Sequence, residues 1–127
     1  MKLLLDTHAL LWGAEAPENL SAQARRELEN PANALFFSAA SIWEIAIKMS
    51  VGKLRLSVSP EALLELLLRK GFEELPIQSV HAARVAAMPM HHRDPFDRLL
   101  VAQAELEQMA LVSNDADLDA YGIRRRW

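Results

Sequence analysis

Lys2-Leu3-Leu4-Leu5-Asp6, at the start of the chain, carries the reading on which the fold turns. Three leucines in a row, with no polar alternation, describe a short strand buried on both faces, as in a parallel sheet. The run stops at an acid, and Thr7–Ala14 (THALLWGA) follows at once as a helix, ended near Pro17. A strand that hands directly to a helix is the first half of a βαβ unit, so the rest of the chain is read for its repetition. Ser21 supplies an N-cap for a helix through about Glu29, stopped by Asn30-Pro31. Ala34–Phe37 is a second apolar run, and Ser41 then opens a helix through about Ser50 that Gly52 closes. Ser59-Pro60 starts a leucine-rich helix ending at Gly71, with a third strand at Phe72–Leu75. Ser79–Met88 is a further helix, Asp94-Pro95 opens another to about Met109, Ala110–Val112 is a strand, and a last strand lies around Ile123. Strands alternating with helices give an α/β sandwich around a mostly parallel sheet. In such a fold the ligand site lies beyond the carboxyl ends of the strands.

The 127 residues suit one domain, 1–127, with no repeat and no linker long enough to divide it. The composition, 51% apolar and 24% charged, is globular. Without cysteine there is neither a disulfide framework nor a thiolate metal site. The leucines before Asp6 are too few for a signal peptide, and the apolar runs Leu63-Leu64 and Leu66–Leu68 are broken by charge well short of a membrane span. A cytoplasmic location is therefore expected. A net charge of −3 argues at face value against a nucleic-acid partner, yet setting aside four clustered carboxylates leaves +1. Net charge does not decide the partner.

Four acids stand out by position: Asp6 after the first strand, Glu44 and Asp97 at helix starts, and Asp115 after the strand Ala110–Val112. Each has a local explanation. Asp6 caps the helix beside it, Glu44 stands three residues after Ser41 as in a capping box and four before Lys48, Asp97 favours a helix dipole, and Asp115 suits a turn. Those explanations say nothing about why all four fall where strand ends and helix starts face one sheet edge. Converging carboxylates repel unless a cation joins them, and their oxygens suit Mg²⁺ or Mn²⁺, one ion or two. There is no cysteine and the histidines form no HxxxH pair, His91 and His92 being adjacent, so a structural zinc site is not expected. His8 and His81 read as packing or capping residues.

These motifs together resemble a known family. The runs LLLDTHALLW (3–12), SAASIWEIAIK (38–48) followed by GKL (52–54), HRDPFDRLLVAQA (92–104) and LVSNDADL (111–118) before YG (121–122) are similar to those of the PIN-domain, VapC-type toxins, in order and from Met1 to near Trp127. The resemblance implies a PIN-like three-layer sandwich and a metal-dependent endoribonuclease. It implies metal-holding, catalytic roles for Asp6, Glu44, Asp97 and Asp115, with Asp117 competing for the fourth position. Thr7, Ser113 and Asp94, and Asp117 if it is not a ligand, are implied as supporting neighbours. It also implies an RNA substrate, a VapB-type antitoxin partner and a toxin homodimer.

Metal-activated water attacking phosphorus in line would leave a 5′-phosphate and a 3′-hydroxyl. Lys48, Lys53, Arg55, His92, Arg93 and Arg98 flank the acidic motifs and are the candidate RNA contacts, Lys48, Arg93 and Arg98 above all. Lys48 with Glu44 and Arg98 with Asp94 are also spaced for helix ion pairs. Arg124–Arg126 reads as a solvated tail, and Trp43 and Ile47 as the widened edge of a core stripe formed by Ile42, Ile45, Ala46 and Met49. Three other readings compete: a phosphoacceptor receiver domain, an interaction domain whose acids are all caps, and a PIN nuclease that processes RNA without an antitoxin. The first needs adjacent acids after its first strand, and Asp6 stands between Leu5 and Thr7.

Overall fold

Leu3, Leu4 and Leu5 are fully buried in the computed structural model, which describes residues 1–127. Their strand, β1 (Lys2–Leu5), is the middle of a five-stranded sheet in which every pairing is parallel. The other strands are β2 (Ala34–Ser38), β3 (Glu73–Leu75), β4 (Ala110–Val112) and β5 (Arg125–Arg126), in the order β3-β2-β1-β4-β5. Successive side chains of a strand alternate between faces. Leu3, Leu5, Phe37, Ala110 and Val112 therefore join one core with residues of α1 (Thr7–Glu15), α2 (Ala22–Glu29), α3 (Ala39–Ser50) and α4 (Pro60–Arg69). Leu4 and Leu111 join the other core with Leu100, Val101 and Ala104 of α6 (Pro95–Leu106), on which α5 (Ser79–Arg84) packs. Two cores, one on each face of the sheet, make the three-layer α/β sandwich expected from the sequence. No helix is long and apolar enough to cross a membrane.

The chain leaves β1 for β2 on one side and later returns to β4 on the other. Strand order thus reverses at β1, the place where α/β sheets open a crevice at their carboxyl edge. Asp6 follows β1, Ser38 ends β2 and Ser113 follows β4, so all three stand at that edge.

Several boundaries differ from the sequence reading, for physical reasons. α3 starts at Ala39, with Ser38 and not Ser41 as its cap: the Ser38 hydroxyl accepts the Ala40 N–H at 3.0 Å. The Ser41–Glu44 capping box therefore does not form, and Glu44 lies in the second turn. Ser38 also donates to Gln103 Oε1 at 2.6 Å, a buried bond that ties β2 to α6. α4 ends where expected because Gly71 takes a φ of 93°, open to glycine and strained for other residues. α5 tightens into a 3₁₀ turn at Val85–Ala87, and α6 stops at Leu106. The final strand is Arg125–Arg126 instead of the region of Ile123. The three closing arginines are accordingly not all a solvated tail, since Arg125 pairs with Asp119 at 2.7 Å and donates to the Ser113 carbonyl. On α3, Ile45 is buried as expected, whereas Trp43 is 59% exposed and lies edge-on to Phe96 at the surface.

Candidate active site

Each acid reaches the carboxyl edge of the sheet through a different local device. Asp6 is held first by its backbone, whose N–H donates to the Val112 carbonyl at 3.0 Å, and then by its role as cap of α1, Oδ1 accepting the Ala9 N–H at 2.8 Å. It is buried, and burial pushes its carboxyl above the ordinary range, although hydrogen bonds from Ser113 and Ala9 favour the anion. Glu44 is buried too. Its Oε1 accepts the Thr7 hydroxyl at 2.7 Å and its Oε2 binds Lys48 Nζ at 2.6 Å. Ser41 Oγ lies 3.0 Å from Thr7 Oγ1, so the first turns of α1 and α3 are joined beneath the carboxylate.

Asp94 caps α6, its Oδ1 accepting the Phe96 N–H at 2.9 Å and the Asp97 N–H at 3.4 Å. This places Asp97 in the first helical turn, facing the other acids. Asp115 accepts the Asp117 N–H on Oδ1 at 3.0 Å, and its own N–H donates to Ser113 Oγ at 3.1 Å. Asp6, Thr7, Glu44, Lys48, Asp94, Asp97 and Asp115 line a single cleft of about 490 Å³. The convergence has an electrostatic signature. The Asp97 carboxyl is pushed up to about 7, first by burial and then by the charges of Asp94, Asp6 and Glu44, with His92 opposing. Among the lining residues the one ammonium is Lys48, and the adjacent carboxylates hold its proton more firmly than usual, Glu44 foremost.

The donor set fits a hard divalent cation. Four carboxylates with two hydroxyls beside them offer oxygen ligands, and a dication offsets both the burial and the repulsion that raise Asp97. Residues 3–123 match the PIN domain family. The chain belongs to the PIN domain family. Among similar proteins, ribonuclease VapC22 of Mycobacterium tuberculosis is 29% identical over 119 residues, covering 94% of this chain and 91% of the relative. Among solved structures, VapBC2 from Rickettsia felis, bound to a DNA fragment from its promoter, superposes with a TM-score of 0.74 at 15% identity, covering 98% of this chain and 97% of that one. DNA-bound VapBC from Salmonella typhimurium gives a TM-score of 0.69 at 18% identity, over 98% and 96% of the two chains. At those identities the structures show a shared fold.

In this PIN domain not every residue singled out from the sequence reaches the cleft. Asp117 is exposed and outside it, leaving Asp115 as the acid that lines it beyond β4. Arg98 does not pair with Asp94 and does not face the acids: its guanidinium donates to the carbonyls of Val85 and Met88, at 3.3 and 3.2 Å. Val85 opens the 3₁₀ turn and Met88 caps it, so the guanidinium bridges the two ends of that turn, which accounts for a cation early in α6. Arg93, Lys53 and Arg55 are exposed and do not line the cleft.

Three lining residues of the PIN domain escaped the sequence reading, His8, Trp12 and Asn114, and His92, read from the sequence as a candidate RNA contact, lines the cleft with them. His8 and Trp12 stack on each other one turn apart on α1, with ring centroids 5.6 Å apart, and Trp127 packs on Trp12. Their i, i+4 spacing after Asp6 was the available signal. His92 Nε2 lies 3.0 Å from Asp115 Oδ2 and 3.5 Å from Asp97 Oδ2, while His91 turns away onto the ring of Tyr121. Adjacent histidines need not share a face for one of them to enter the site. His81, buried, accepts the Gln78 N–H at the start of α5 and contacts Glu107, the capping and packing role expected of it.

Proposed function

We propose that this chain is a divalent-metal-dependent endoribonuclease, the toxin of a VapBC-type toxin–antitoxin pair. The observation that carries this reading is the convergence of Asp6, Glu44, Asp97 and Asp115, from four separate parts of the sequence, on one cleft at the carboxyl edge of the sheet. The name of the mycobacterial relative supports ribonuclease activity, and the VapBC neighbours support an antitoxin partner.

Asp6, Glu44, Asp97 and Asp115 would hold one or two Mg²⁺ or Mn²⁺ ions through carboxylate oxygens. Bound there, the cation supplies a water of lowered pKa and positive charge at the oxygens of an in-line phosphoryl displacement. Thr7 fixes the rotamer of Glu44, and Ser113 favours the anionic form of Asp6. Asp94 locks the backbone from which Asp97 projects. Lys48 neutralises Glu44 and offers its remaining N–H donors to a phosphate at the cleft, with Arg93 on the exposed approach. The substrate is RNA, the products end in 5′-phosphate and 3′-hydroxyl, and the protein works in the cytoplasm as a homodimer that its antitoxin neutralises.

The test is cleavage of RNA by the purified protein with Mg²⁺ or Mn²⁺ and with chelator, beside Asp6→Asn and Asp97→Asn variants whose folding is checked by circular dichroism. Cleavage that needs the ion and is lost in both folded variants is expected. Variants that cut like the parent, or a 2′,3′-cyclic phosphate on the products, overturn the reading. Co-purification with the product of a small neighbouring gene, with loss of cleavage, tests the antitoxin.

A further inference from the structure

His92 stands beside the four acids, and the obvious role for it is a fifth ligand. Its Nε2, an Asp97 oxygen and an Asp115 oxygen all lie within 4.8 Å of one another. Distance alone does not settle the role. Oxygens around an octahedral ion at about 2.1 Å stand about 3 Å apart, the same as hydrogen-bonded atoms. The opposite ring nitrogen does settle it. A metal-bound imidazole donates its other N–H to an acceptor such as a carbonyl or carboxylate. What faces His92 Nδ1 is a donor, the backbone N–H of Asp94, at 3.2 Å.

A ring nitrogen that accepts an N–H uses its lone pair and carries no proton, so the proton of the neutral ring sits on Nε2. Nε2 then has no lone pair for a cation. Its N–H points instead at Asp115 Oδ2, 3.0 Å away. The ring is fixed from its backbone as well: the His92 N–H donates to the Tyr121 hydroxyl at 2.9 Å, and Tyr121 is itself packed by His91. Asp94, which orients the ring, is also the cap of α6 that sets Asp97, so one short loop positions both the third and the fourth acid.

We propose that His92 is a positioning residue: held at ring Nδ1 by the Asp94 N–H and at its backbone N–H by the Tyr121 hydroxyl, it keeps the Asp115 carboxylate in the cleft through Nε2–H and does not ligate the cation. The role toward the cation rests on the metal-dependent reading above. The donor set then stays all-oxygen, the chemistry of Mg²⁺ or Mn²⁺ and not of a nitrogen-seeking ion such as Zn²⁺. Asp115 retains free lone pairs for the cation, because its two engaged oxygens each accept only one hydrogen bond from the protein.

The experiment is long-range ¹H–¹⁵N NMR of the imidazoles of the full-length protein at pH 8, with chelator and then with Mg²⁺. The His92 signals are assigned by their loss in His92→Gln. The Nε2–H tautomer is expected in both conditions. An Nδ1–H tautomer, or a ligand-type shift at Nε2 on adding Mg²⁺, overturns the proposal. Calorimetric Mg²⁺ titrations supply a second readout. His92→Ala should bind about 10-fold to 100-fold more weakly, and His92→Gln, whose amide can still donate, should stay close to the parent. Undiminished binding in His92→Ala, or equal loss in both variants, also refutes it. Should the parent bind no divalent ion at all, the metal-dependent reading fails, and the tautomer still decides whether His92 clamps Asp115.

Discussion

Asp97→Asn should abolish RNA cleavage and, with no metal present, make the protein more stable at alkaline pH. The folded protein holds the Asp97 proton more tightly than the unfolded chain does, its carboxyl being raised from 3.8 to about 7. Between those values the native state binds more protons, so stability falls as pH rises, fully retained below about 3.8 and fully lost above about 7. Taken whole, that rise corresponds to about 4 kcal/mol at ~1.36 kcal/mol per unit. The side chain is 21% exposed at the cleft, and solvent screening there reduces the figure to about 2 kcal/mol. Asparagine keeps the shape and removes the charge, and so recovers about that amount, roughly 5–10 °C in melting temperature for a domain of this size. The assay is thermal unfolding followed by circular dichroism in chelator from pH 4 to pH 9. The gap between variant and parent should open across pH 4 to 7 and stay level above it. Saturating Mg²⁺ should then favour the parent by about 2.7 kcal/mol at one hundred times its dissociation constant, and the variant less. A gap independent of pH, or a variant less stable than the parent at pH 8 in chelator, would refute burial of the Asp97 carboxyl among the other acids as the source of the shift.

Three further outcomes follow from individual contacts. Ser38→Ala removes the cap of α3 and strands Gln103 Oε1 in the core, and should lower the unfolding free energy by about 2–3 kcal/mol in urea titrations. Thr7→Val frees Glu44 Oε1 from its hydroxyl donor, and calorimetry should record about 10-fold weaker Mg²⁺ binding with the fold intact. Lys48→Met should weaken RNA binding and make the salt dependence of the binding constant shallower by about one unit, read by filter binding across ionic strengths in the Asp97→Asn background.

Much of the fold was legible because it is written in local grammar. The unbroken leucines of β1 have no soluble alternative to a buried strand. Ser21, Ser59-Pro60 and Asp94-Pro95 start helices for reasons confined to a few residues, and the structure caps α2, α4 and α6 with Ser21, Ser59 and Asp94. Where the reading slipped, a longer-range contact was at work. Ser41 looked like the better cap from its spacing to Glu44, yet Ser38 caps α3 while also bonding Gln103, 65 residues away. Arg98 looked like a helix partner for Asp94 and instead satisfies carbonyls of the preceding turn.

The sequence by itself determined the alternation of strands and helices, the buried central strand, and the four acids worth following. Those are decided by apolar runs, caps and breakers within a few residues of each position. The tertiary structure alone decided that the acids meet, that Asp115 and not Asp117 lines the cleft with them, and that His92 enters with Nε2 toward them. Such questions depend on where strand order reverses and which backbone groups then face each ring and carboxylate, and the chain brings those groups together only by closing the sheet.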